Sequence, residues 1–311
     1  MIKYTYTLGL VFLTSIVSFA QPHFGNEQGT LSYRNRELMV NPAYVGSVEN
    51  TYRRLSLSAD WQWVGMDGAP KMQVLQFLTG LPNSGGIGGW FYHEGYGVTD
   101  IIQFGGIYSH SFKLTDDLNL SLGLSLSALT VSEDLVTGID DPNDPMFSKS
   151  ELRVWGFNSG FGAMLYTDSY YVGLSMPQLL TNNWEEGASE PKIKNAFKFD
   201  QLRFYLTGGY VFKVSDDVSI MPNALLQFSG NTSFGYEFMV RGDYKKRVAV
   251  GVGYGYDKAI KAEAGVFISK EVSLAYRYQQ SFGDTYKHLS GSHSITLSVT
   301  WDRDKHDVRM F

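Results

Sequence analysis

The sequence predicts an all-β chain: a transmembrane outer-membrane β-barrel of about 14 antiparallel strands. Three observations predict it. Apolar and small polar side chains alternate with a period of two along many short stretches. An export signal is followed by no apolar run long enough for a spanning helix. Long and short connections alternate along the chain.

The alternation is strictest at 117–131, DLNLSLGLSLSALTV. Leu118, Leu120, Leu122, Leu124 and Leu126 take every second place, with Asn119, Ser121, Gly123, Ser125 and Ser127 between them. Successive strand side chains point to opposite faces, so one face seeks an oily partner and the other water or polar protein.

Residues 1–20 read as a signal peptide: Lys3, an apolar centre through Leu8, Val11, Phe12, Leu13 and Ile16, then Ser18-Phe19-Ala20. The 311-residue chain has a mean hydropathy of −0.16, 15% aromatic residues and 33 glycines. A membrane barrel has this balance, because only half of each strand meets lipid. With no cysteine, a disulfide framework, thiol catalysis and Cys metal sites are excluded. A net charge of −5 leaves no nucleic-acid footprint.

Residues 21–53 are expected to be either a plug inside the barrel or a periplasmic strap across its mouth, with turns at Asn41-Pro42 and Gly46-Ser47. The barrel spans 54–302, and 303–311 is a tail. The candidate strands are 54–63, 69–79, 85–92, 101–113, 117–131, 153–166 and 169–176, then 202–213, 217–229, 232–241, 246–255, 260–267, 270–279 and 291–302. Most are close to the ~9–11 residues a tilted strand needs to cross a bilayer. In 153–166, Trp155, Phe157 and Phe161 alternate with Gly156, Asn158, Gly160 and Gly162. In 246–255, valines at 248, 250 and 252 alternate with Ala249, Gly251 and Gly253. In 291–302, Ile295, Leu297, Val299 and Trp301 alternate with Ser294, Thr296, Ser298 and Thr300. The 69–79 strand is apolar on both faces, through Met72, Val74, Leu75, Phe77 and Leu78. Pro222 inside 217–229 lacks a donor and predicts a bulge.

Very short turns at 115–116, 167–168, 214–216 and 269 follow even-numbered strands. Long connections at 132–152, 177–201 and 280–290 follow odd-numbered ones. A barrel with both termini in the periplasm gives this parity, and a soluble sandwich has no reason to. Trp61, Trp63, Trp90, Tyr92, Tyr276, Tyr278 and Trp301 lie near strand ends and are expected in interfacial girdles.

Local sequences add a family resemblance. NPAYVGS at 41–47, WVGMDGAPKMQ at 63–73, YYVGLSMPQLL at 170–180, YLTGGYVFKVSDDVSIMPNALLQFSG at 205–230 and GSHSITLS at 291–298 occur in order. Together they closely resemble the PorP/SprF family of Bacteroidetes outer-membrane proteins. The chain departs from the family's aromatic lead-in, carrying LSYRNRELMV at 31–40. The resemblance implies an outer-membrane barrel of the type IX secretion and gliding machinery. It implies a partner or anchor for an exported surface protein, such as an adhesin, held through that protein's C-terminal domain. It also implies, for some members, a periplasmic peptidoglycan-binding partner. The competing expectation is a passive diffusion porin.

Strand phasing turns Asp60, Arg203, Glu237, Arg241, Lys261, Glu263 and Arg277 towards the lumen, as a polar interior or a selectivity constriction. The first outer connection offers Trp63, Met66 and Asp67 as a partner-binding site, shaped by Gly65, Gly68 and Pro70. An acidic loop at 138–147 offers Asp140, Asp141 and Asp144 to calcium, but without EF-hand spacing. No cofactor is expected. Nor is an enzyme: among His23, His93, His110, His288, His293 and His306 no pair has catalytic spacing. Ser292 and Ser294 flank His293 but point to the opposite face.

Overall fold

The computed structural model describes residues 36–48, 50–134, 151–184, 193–229, 232–282 and 290–301. Its strands are β1 (Arg53–Trp61), β2 (Lys71–Leu81), β3 (Gly85–Tyr96), β4 (Thr99–Lys113), β5 (Asn119–Asp134), β6 (Glu151–Tyr166), β7 (Tyr170–Met176), β8 (Thr181–Trp184) and β9 (Ile193–Ala196). They continue as β10 (Arg203–Tyr210), β11 (Phe212–Lys213), β12 (Val218–Ser229), β13 (Thr232–Tyr244), β14 (Val248–Gly255), β15 (Ala259–Phe267), β16 (Val272–Ser281) and β17 (Ser292–Trp301). Each strand of the large sheet pairs antiparallel with its neighbours; β1 pairs with β2 and β17, and β10 pairs with β7 and β12. The sheet therefore closes. Since β11 only continues β10 beyond Val211, the closed barrel has 14 staves. Closure leaves no open edge, which hydrocarbon would not tolerate. Strands β8 and β9 form a separate hairpin.

The alternation sets the two faces. Leu122, Leu124 and Leu126 are exposed on the outside of β5, and Ser121, Gly123 and Ser125 are buried inside. Val248, Val250 and Val252 of β14 likewise face outwards. At one end of the barrel every connection is short: 82–84, 114–118, 167–169, 214–217, 245–247 and 268–271. This is termed the turn end. The opposite, loop end carries all the long connections, with short ones at 97–98 and 256–258.

Two expectations are corrected. Trp90 and Tyr92 are not girdle residues: both point inwards and are buried, with the Trp90 ring over Gly105 of the next strand. Pro222 makes no bulge. It stays in register with Val240 of β13, and the irregularity in that ladder lies between Gln227 and Ser229. The missing donor shows on the other side, where the β10 ladder lapses after Gly209↔Asn223 and resumes at Phe212↔Ile220 in the same register.

The lumen holds a segment of the chain. Residues Glu37–Val40 form a one-turn helix, α1, and Pro42–Ser47 a 3-10 helix. The Asn41 side chain caps the second by accepting from Ala43 N at 2.9 Å, with Pro42 opening it. Both pieces are buried throughout. Leu38, Met39, Ala43, Tyr44 and Val45 share one apolar cluster with inward residues of the wall, Met72, Val74 and Leu78 among them. That is why β2 is apolar on both faces: its inner face meets chain, not water.

Candidate functional site

Three features are built from this frame: a seat for residues 36–48, a charged wall opposite it, and a ledge at the loop end.

The seat is made by small and hydroxyl side chains on the turn-end half of β2–β7. Ser121 Oγ donates to Ala43 O at 2.6 Å and Ser175 Oγ to Val40 O at 2.7 Å; Ser109 Oγ donates to Pro42 O. Gly86 lies directly beneath the Val45 carbonyl and Gly123 beneath the Pro42–Ala43 peptide, where any Cβ would collide with backbone. The buried Glu37 carboxylate pairs with Arg54 at the start of β1. Segment and wall are thus matched in shape, in backbone hydrogen bonds and in charge.

The charged wall is formed by β13, β15 and β16. Register places Arg277 opposite Glu263, and Ser294 opposite both Arg277 and Asp60. Arg277 Nη2 donates to Glu263 Oε2 at 2.6 Å, and its Nη1 lies 4.0 Å from Glu237 Oε1. Lys261 Nζ donates to Glu237 Oε2 at 2.6 Å. Arg241 donates to Asp243 from Nε at 3.0 Å and Nη2 at 2.9 Å, with Glu263 3.9 Å away. Five of the seven lumen charges named from sequence therefore meet in one network. Asp60 lies beside it, acted on by the charges of Arg36, Arg277 and Lys261. Arg203 does not join: it occupies the inward phase of β10 at its loop end, across from Ser229. Two partners escaped the sequence reading. Asp243 carries the same inward phase as Glu237 and Arg241, a signal that was available. Glu37 sits in the non-strand segment, where no periodicity marks it.

At the loop end, the connection from Gln62 to Pro70 is tied down on both sides. Val64 N donates to Gly291 O at 2.9 Å, Gly97 N donates to Gly68 O at 2.9 Å, and Trp63 N donates to Ser292 Oγ at 3.0 Å. Trp63, Gly65 and Gly68 all take positive φ, which fixes a tight, defined ledge. Trp63 is half-buried in it; Val64, Met66, Asp67 and the neighbouring Val98 are exposed.

His110 lies on the outward face, edge-on to Phe112 at 4.8 Å between ring centroids. His293 accepts or donates a 2.6 Å bond with Tyr276 OH. Among the described residues no group of side chains could hold a metal ion. Asp140, Asp141 and Asp144 lie outside the described residues, as do His23, His288, His306, the signal segment 1–20 and the tail 303–311.

A closed 14-stave sheet with an outward apolar belt and a packed lumen defines an outer-membrane β-barrel. Solved barrels share the fold. TbuX, a Ralstonia pickettii toluene transporter, matches at TM-score 0.52 and 11% identity, over 85% of this chain and 92% of that one. CymD, a monoaromatic hydrocarbon channel, matches at 0.53 and 12%, over 86% and 91%. A Pseudomonas aeruginosa FadL homologue matches at 0.50 and 15%, over 85% and 93%. Identities this low carry the architecture alone. No curated protein matches the chain. The chain belongs to the family of type IX secretion system membrane proteins PorP/SprF, which matches residues 27–299. It is a secretion-system barrel of the outer membrane, and the family is not one of enzymes.

Proposed function

We propose that this barrel serves type IX secretion by docking, as a partner or surface anchor that holds an exported protein through its C-terminal domain. The loop end faces the medium and the turn end the periplasm, where a peptidoglycan-binding partner meets it. The observation that carries this reading is the occupied lumen. Residues 36–48 fill the turn-end half against β2–β7, matched to their seat by hydrogen bonds and by the glycines beneath them. A general diffusion porin needs that space for solutes. Binding to a rim needs only a rigid surface, and the loop-end ledge supplies one. Its exposed Val64, Met66 and Val98 are apolar, of the kind favoured in interface cores, and its backbone is fixed beforehand.

Met66→Asp combined with Asp67→Lys tests the ledge. Both residues are exposed, so the barrel should insert normally and keep its heat-modifiable gel mobility. Co-purification of the exported protein's C-terminal domain from native membranes should fall several-fold. Undiminished co-purification with a correctly inserted variant would remove the ledge from the docking site.

A further inference from the structure

The two sides of the lumen differ in kind. The β2–β7 side carries small, hydroxyl and apolar side chains, with Glu94 buried among them, and residues 36–48 lie against its turn-end half. The opposite side, from β13 round to β1, is polar at every level. At the turn end it holds an open cleft lined by Arg54, Ser56, Ser298, Thr300 and Ser273, with Arg241 and Glu263 on its inner side. Ser58 and Thr296 share a 2.9 Å hydroxyl bond beside the cleft. Above it come Arg277, Glu237 and Lys261. Beyond them Gln279 Nε2 donates at 2.7 Å to Asp257, in the loop-end turn between β14 and β15. Polar groups thus run from one mouth to the other along one wall.

Three buried groups on this wall lack what burial ordinarily demands. Both Asp60 carboxylate oxygens, Ser294 Oγ and Gln279 Oε1 have no hydrogen-bond partner among the described residues. Asp60 is 1% exposed and Ser294 2%. Register sets Asp60 opposite Ser294 and Ser294 opposite Arg277, so the unpartnered carboxylate adjoins the level of the ion-pair network. A buried carboxylate is stable only with donors or counter-charge around it. Water and small cations are the groups able to reach such a place and supply them.

We propose that the β13–β17 side of the lumen is a latched passage for water and small inorganic ions. The Arg277–Glu263 and Lys261–Glu237 pairs close it at mid-height, and Asp60 is the acceptor beside the latch. This role is separate from docking at the loop-end ledge. Each pair joins neighbours on this one wall, Arg277 with the directly opposite Glu263 and Lys261 with Glu237 two strands away, and mutual attraction holds these side chains in place. Neutralising one sign both frees the pairs and leaves the other sign to select the permeant ion.

Conductance of the full-length barrel in planar bilayers under a KCl gradient tests this. The wild type should show low conductance. Arg277→Gln with Lys261→Gln should raise it several-fold and shift the reversal potential towards cations, because Glu237, Glu263 and Asp60 remain. Glu237→Gln with Glu263→Gln should raise it and shift the potential towards anions. Heat-modifiable mobility reports whether each variant folds. Ser298→Cys keeps the test independent of the ion pairs: the chain has no native cysteine, and Ser298 lines the cleft. A cationic thiol reagent added at the turn end should react there and lower the residual current. Unchanged conductance and reversal potential in folded charge variants would overturn the passage. So would an unreactive thiol in the Ser298→Cys barrel if the charge variants do not fold.

Discussion

Leu124 and Ser298 show how one position's environment decides what it tolerates. Leu124 is 61% exposed on the outer face of β5, where lipid replaces water as its neighbour. Ser298 lines the turn-end cleft inside the barrel. Leu124→Arg should cost about 2–4 kcal/mol near the bilayer midplane, whereas Ser298→Arg places its charge in a polar space and should cost much less. Unfolding titrations of the refolded barrels in lipid vesicles measure the difference; equal losses would mean that the faces are misassigned. Ser121 would be a poor comparison, because its hydroxyl holds the Ala43 carbonyl and it has no free volume. The same contrast shows what single residues disclose in a sequence. Period two was enough to turn Glu237, Arg241, Lys261, Glu263 and Arg277 inwards. Their pairing was not legible, because it depends on the stagger between β13, β15 and β16, which no one strand encodes. Glu37 was illegible for a different reason: its partner Arg54 lies on the barrel wall, and nothing local links a short helix to a strand it touches only in the closed barrel.

At the scale of elements, the strands were readable wherever one face meets lipid and the other small polar groups. Reading failed where the lumen holds protein. β2 shows apolar residues on both faces, and Trp90 and Tyr92 resemble interfacial aromatics, because their inner surroundings are a packed core. The β8–β9 hairpin was hidden within a long connection, since its four-residue strands are too short to display a period. Pro222 misled in the opposite sense: the chain spends its missing donor on a lapse in the β10 ladder and keeps its register. The tightest element-scale match is α1 and the following 3-10 helix against their seat. Gly123→Leu would put a branched side chain where the Pro42–Ala43 peptide lies. It should dislodge residues 36–48 while the barrel stays closed. Limited proteolysis in detergent should then cut that segment much faster than in the wild type, with heat-modifiable mobility kept. Wild-type resistance to protease would show that the seat does not hold the segment.

For the whole molecule, the segregation of short connections to one end and long ones to the other gives an orientation. Strand ends Arg53 and Trp301 both lie at the turn end, the expected periplasmic side. Because the chain has no cysteine, single cysteines report this without background. Met66→Cys should react with an impermeant maleimide on intact cells, and Asp168→Cys should react only after the outer membrane is opened. The reverse pattern would invert the barrel. An occupied lumen, a rigid exposed ledge and membership of a secretion-system family are the three observations that support the proposed binding at the outer rim. The most direct test is the amount of exported protein retained on the surface of cells that lack this chain, against cells complemented with it. Surface-retained protein should fall to background without the barrel, accumulate in the medium or periplasm, and return with the wild type but not with the Met66→Asp, Asp67→Lys variant. Wild-type retention in cells that lack the barrel would contradict the anchor outright.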